Sequence, residues 1–159
     1  MKSAVTSVMT SVMTSVMTLA VLVLAGCGLQ PDVGPPLAGA CDNADSDPAS
    51  SVTFAAQIRP ILSRSMAGCG CHMPTATGPG PATQITGLDL SSVTTLKAGG
   101  HNSGRNIVIP MEPCTSIIYE KVDTAPPFGS RMPLGGPPYL TEAEIGLIHD
   151  WIAEGALDN

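Results

Sequence analysis

Apolar residues recur along this chain with several distinct spacings, and each spacing predicts a different element. Phe54, Ile58, Ile61 and Leu62 fall at i, i+4, i+7 and i+8, which is the stripe of an amphipathic helix. Thr53 is placed to cap that helix, with Gln57 near its first turn. Pro60 lies inside the stripe and is expected to kink or shorten the helix. Leu88-Asp89-Leu90-Ser91-Ser92 predicts a turn, with Ser91 or Ser92 capping a short helix that runs to Ala98 and stops at Gly99-Gly100. Ile107-Val108-Ile109 is a short apolar run before Pro110, compatible with a strand but without an obvious partner. Ile117, Ile118 and Val122 predict a helical turn capped by Thr115 or Ser116. The strongest pattern comes last. Ile145, Ile148 and Ile152 form one stripe with Leu147 and Trp151, Thr141 to Glu144 reads as a capping box, and Gly155 is the stop. Residues 66–87 and 123–140 are dominated by Gly, Pro and Thr or by Gly and Pro, and read as loops. The expectation is a mostly α fold of three to four short helices joined by long Gly/Pro-rich loops. Loops of that length are usually held by something other than their own packing.

One apolar run has no helical period. Leu19-Ala20-Val21-Leu22-Val23-Leu24 is continuous, follows a Met/Val-rich stretch behind Lys2, and stops at Ala25-Gly26-Cys27. Leu24-Ala25-Gly26-Cys27 resembles a bacterial lipobox, in which the cysteine is lipidated. Gly28-Leu29-Gln30-Pro31-Asp32 supplies no basic stop-transfer residues, which disfavours a membrane-spanning helix. Residues 1–26 are therefore read as a lipoprotein signal peptide, residues 27–51 as a lipid-anchored flexible tether, and residues 52–157 as the folded domain. The tether reading rests on Pro31, Gly34, Pro35, Pro36 and Gly39, with Asp42, Asp45 and Asp47 keeping the segment solvated. The expected location is the bacterial cell envelope. Gly28 stands where an inner-membrane retention signal would have Asp, so the outer membrane is expected.

Composition sharpens this picture. The 159 residues include 43% hydrophobic but only 3% aromatic positions, with 17 Gly and 15 Pro. Part of the apolar content sits in the leader. Without it, 6 basic and 13 acidic residues remain, a net charge of −7. Such a surface disfavours nucleic acid as a partner, which requires a basic patch. A small domain with so few aromatics relies on a cross-link or a cofactor.

Cys69-Gly70-Cys71-His72-Met73 concentrates soft ligands. Its nearest known pattern is Cys-x-x-Cys-His, the haem-attachment motif of c-type cytochromes. The match is imperfect: one residue, not two, separates Cys69 from Cys71, and Gly68 occupies the usual first-cysteine position. The wider sequence carries more. Phe54 to Leu62 leading into Cys71-His72, then Gly87-Leu88-Asp89-Leu90-Ser91, Ser116 to Val122, Arg131-Met132-Pro133-Leu134-Gly135-Gly136-Pro137-Pro138 and Leu140 to Ala156 resemble, in order, bacterial cytochrome c-like domains of the planctomycete and myxobacterial type. That resemblance implies a small class I cytochrome c-like fold and haem c as cofactor. It implies Cys69 and Cys71 as thioether candidates, His72 as proximal iron ligand and Met132 as distal ligand. It also implies electron transfer to a redox partner protein. A methionine at 132 equally serves as loop packing beneath Pro133 and Tyr139. His101, in a Gly/Asn/Ser loop, and His149, beside Asp150, are rival ligands, both expected on the exposed side.

Several chemistries remain open for the altered motif. Haem attaches through Cys71 alone, or through both Cys69 and Cys71, or Cys71 holds haem while Cys69 bridges Cys114. Alternatively the four cysteines Cys41, Cys69, Cys71 and Cys114 form two disulfides in a haem-free lipoprotein with a binding or structural role. In that case a Cys69–Cys71 bridge is disfavoured by ring strain, so Cys41 and Cys114 would each pair with one of those two. Cys69, Cys71, His72 and Met73 are also the donor types that Cu(I) prefers. No nucleophile elbow, phosphate loop or His-Glu-x-x-His is present, so an electron carrier or binding module is expected rather than a catalyst.

Overall fold

The first apolar stripe forms a helix whose shape is set by Pro60. In the computed structural model, which describes residues 41–159, Phe54–Ile58 wind as a π-helical turn that leads into α1 (Arg59–Ser63). The N–H groups of Ile58 and Arg59 donate five residues back, to the carbonyls of Thr53 and Phe54. In a regular α-helix the ring of Pro60 would strike the carbonyl four residues behind it. The wider π turn relieves that crowding, so the expected kink takes the form of a register change. The Thr53 hydroxyl caps nothing. Instead the Gln57 side-chain oxygen accepts the Thr53 N–H at 2.9 Å. The leader and Cys27 lie outside the described residues, as does the tether up to residue 40.

Within the stretch expected to be loop, residues 66–87, two helical pieces appear. One is a 3-10 turn at Gly70–His72, the other α2 (Pro81–Thr86). Pro81 starts α2, where its missing N–H costs nothing, and Gly87 ends it in the left-handed region at φ 73°. The next helix, α3 (Val93–Ala98), has the expected cap: Ser92 and Thr95 form a capping box. Ile107-Val108-Ile109 forms no strand. Ile107 ends a 3-10 turn (Gly104–Ile107), and the Ile109 N–H donates to Ser116 Oγ at 2.8 Å. Ser116 is fully buried and spends its hydroxyl on this bridge and on the Glu112 carbonyl, not on capping α4 (Ile117–Val122). α5 (Glu142–Ala153) carries the expected Thr141–Glu144 capping box. Among the described residues the structure is helical with no β-strand, only one isolated bridge between Thr75 and Gly78.

α5 organises the core. Ile148, Trp151 and Ile152 are fully buried, together with Ile58 and Leu62 of the first helix and Leu96 of α3. Phe54 packs on Trp151 with ring centroids 5.4 Å apart, and the indole N–H donates to the Leu157 carbonyl. The aromatic deficit of the sequence is thus met by concentrating two rings at the centre.

Residues 42–47, expected in the tether, lie against α5. Ser46 donates both its N–H and its hydroxyl to the Asp150 carboxylate, and the Asp42 carbonyl accepts from His149 Nε2. The Val52 N–H donates to Glu154. This docking corrects one expectation, that His149 lies on the exposed side. His149 is half-buried with both ring nitrogens engaged, and Asp150 beside it is buried and accepts from Ser46. It also brings Cys41 to Cys114. Those two form the disulfide, with Cα atoms 5.6 Å apart, while Cys69 and Cys71 are free thiols. The pairing expected in the haem-free reading, Cys41 and Cys114 each with Cys69 or Cys71, therefore does not form. The reason is positional: Cys69 is buried in the wall of a cavity next to α1, and the 42–47 segment instead delivers Cys41 to the 3-10 turn at Pro113–Thr115.

Candidate functional site

The site begins with the chain reversal after α1. The Cys69 N–H donates to the Leu62 carbonyl and the Gly70 N–H to the Arg64 carbonyl, which fold the loop back on the helix end. The 3-10 turn that follows buries Cys69 and His72 and leaves Cys71 exposed. Cys69 and His72 form part of the wall of a mostly apolar cavity that also includes Leu88, Leu90, Ile107, Ile118, Val122 and Met132. It encloses about 120 Å³ and opens to solvent at its mouth. Phe128 stands at the wall and is partly exposed.

His72 is oriented by the backbone. Its Nδ1 lies 3.1 Å from the Leu88 carbonyl oxygen, which can only accept, so Nδ1 carries the proton. Nε2 has no hydrogen-bond partner among the described residues and is left with its lone pair. Burial pushes the imidazole below its ordinary range, and the bond to Leu88 opposes this only in part. The ring is therefore neutral at pH 7. A histidine fixed by a backbone carbonyl, with the opposite nitrogen unengaged, is the usual arrangement of a metal ligand. Burial pushes the Cys69 thiol up to about 12, with the neighbouring Cys71 adding to the rise, so Cys69 stays protonated.

Met132 belongs to the Gly/Pro-rich loop between α4 and α5. Two cations fix that loop. Lys121 Nζ donates to the carbonyls of Phe128 and Ser130 and lies 4.9 Å from the Phe128 ring centroid. Arg131 Nε donates to the Val122 carbonyl, and its guanidinium stacks over Tyr139 at 4.3 Å. The Met132 N–H donates to the Lys121 carbonyl at 2.7 Å. Half-buried Met132 thus reaches the cavity wall from a pinned loop. Sequence pattern alone points to neither cation. The available signal was their position, at the end of a short helix and inside a Gly/Pro loop, where basic side chains neutralise carbonyls.

The structure therefore brings Cys69, His72 and Met132 to one cavity and keeps Cys71 off its wall. His101 is exposed and His149 is bonded on α5, so neither rival faces the cavity. The four soft donors at 69–73 do not converge as a copper site requires, because Cys71 points to solvent while Cys69 and His72 are buried. Among the described residues the ligand atoms that do cluster, within 4.8 Å, are those of Cys41, Cys114 and His149, and there both sulfurs are taken by the disulfide. No helix of the described residues is long and apolar enough to cross a membrane. No protein family, curated protein or solved structure matches this chain.

Proposed function

We propose that this protein is a membrane-anchored, c-type cytochrome-like electron carrier of class I fold, with haem seated in the apolar cavity. The observation that carries this reading is a single one: an apolar cavity has in its wall a neutral, backbone-oriented histidine with Nε2 unengaged, together with Met132 and Cys69. The donor set fits the group. His72 and the neutral thioether of Met132 would hold the iron, a pair that favours reduced iron. Haem supplies one-electron oxidation and reduction when bound. The residues of the chain do the rest. Leu88 fixes the His72 ring, the apolar wall excludes water, and Lys121 and Arg131 hold the loop that carries Met132. Lipidation at Cys27 would keep the domain at the envelope, where its acidic surface suits a basic redox partner.

The Cys41–Cys114 bridge favours a second reading, a haem-free lipoprotein of the same fold with a binding or structural role. One experiment separates the two. The full chain is produced in a bacterial host that carries out haem c maturation, and its visible spectrum is recorded. A Soret band that is lost in His72→Ala and altered in its thioether charge-transfer region in Met132→Ala supports the carrier. Colourless protein with the bridge intact supports the second reading.

A further inference from the structure

Resting on the haem reading above, we propose that this chain holds its haem by a single thioether bond made by Cys69, and that Cys71 remains a free surface thiol. Three independent features of the turn point to it. First, the two thiols differ in environment: Cys69 is 6% exposed and lies on the cavity wall with His72, whereas Cys71 is exposed and contributes nothing to that wall. Second, the turn is 3-10 and not α. Three residues complete one turn of a 3-10 helix, so residues three apart eclipse each other. The His72 N–H donates to the Cys69 carbonyl at 2.9 Å, closing that turn, and Cys69 stands in line with His72. Cys71 is a third of a turn away from His72 and faces outward. Third, the position four before His72 cannot carry a side chain. A Cβ on Gly68 would lie 2.6 Å from the Ile61 carbonyl oxygen and 2.7 Å from that of Arg64, both backbone atoms. The loop is too close to the end of α1 for a cysteine there. The tightened turn moves the cavity-facing thiol to residue 69.

The bond-forming step is an addition. The S–H bond of Cys69 and the π bond of one haem vinyl group break, and an S–C bond and a C–H bond form. No electrons are gained or lost, so no oxidant is required. The second vinyl group stays unreacted.

The test uses the full-length holoprotein and its variants from a host with haem c maturation. Acidified-acetone extraction separates covalent from dissociable haem, the reduced pyridine haemochrome band reports how many vinyl groups have reacted, and peptide mapping after alkylation locates the free thiol. Expected are one reacted vinyl group, alkylation at Cys71 and unchanged covalent haem in Cys71→Ser. In Cys69→Ala, covalent haem should fall at least tenfold while a Soret band survives as extractable haem. Should Cys69→Ala fail to fold, the haemochrome band and the peptide map of the unmutated protein still decide. Two reacted vinyl groups, or covalent haem lost in Cys71→Ser and kept in Cys69→Ala, would overturn the assignment while leaving haem binding intact. No haem in the unmutated chain would overturn both.

Discussion

Replacing Cys41 and Cys114 together by serine tests how the domain is stabilised. The bridge closes a loop with a sequence separation of 73 residues. In the chain-entropy treatment, a loop of that length restricts the unfolded chain by roughly 4 kcal/mol at room temperature. Little native-state energy offsets this change, because the hydrogen bonds from Ser46 to Asp150 and from Val52 to Glu154 do not depend on the sulfurs. For a domain of this size the loss corresponds to a fall in melting temperature of roughly 15 °C. The denatured state should also expand, so the denaturant slope should rise along with the drop in midpoint. The assay is guanidinium unfolding of the double variant and the parent, followed by the fluorescence of Trp151, which is buried at the centre of the core. A midpoint unchanged within error would refute the reasoning. So would a non-reducing peptide map that joins residue 69 or 71 to either partner.

Two further outcomes follow from the same geometry. Lys121→Met removes the donor to the Phe128 and Ser130 carbonyls and should destabilise the domain by about 1–2 kcal/mol, with faster hydrogen exchange confined to residues 123–132; uniform exchange changes across all helices would contradict the local role. Asp150 should make the docked 42–47 segment acid-sensitive. Burial alone would raise its carboxyl, but the Ser46 hydroxyl and N–H and the His149 ring hold it below the ordinary range. A carboxyl depressed in the folded state stabilises it above its unfolded pKa of about 4, and that stability is lost as pH falls through the folded value. Unfolding midpoints should therefore drop below pH 4 in the parent and lose much of that slope in Asp150→Asn; equal slopes in the two proteins would exclude Asp150 as the source.

What could be read from the sequence was local. The capping boxes at Ser92–Thr95 and Thr141–Glu144 and the apolar stripe of α5 are short-range patterns, and the structure follows them. Pro60 reads as a disturbance, though not as a π turn, because local sequence does not tell a kink from a change of hydrogen-bond register. α2 was missed within a Gly/Pro-rich stretch, although Pro81 at its start and Gly87 after its end are the ordinary punctuation of a helix. The candidate site divides in the same way. His72, Met132 and Cys69 were legible as residue types. Their meeting in one cavity was not, because it depends on two long loops pinned by Lys121, Arg131 and the Leu88 carbonyl. The cysteine pairing failed for a related reason. Arithmetic on four thiols contains no information about a hydrogen-bonded segment, residues 42–47, that docks on α5 and brings Cys41 to Cys114.

That docked segment also sets a mechanical path. Tension applied to the chain at residue 41 passes through the disulfide into the Pro113–Thr115 turn, and through Ser46 and Val52 into α5. Neither that turn nor α5 contributes a residue to the cavity wall. Load entering at residue 41 would thus reach the Pro113–Thr115 turn and α5 before it reached His72 or Met132.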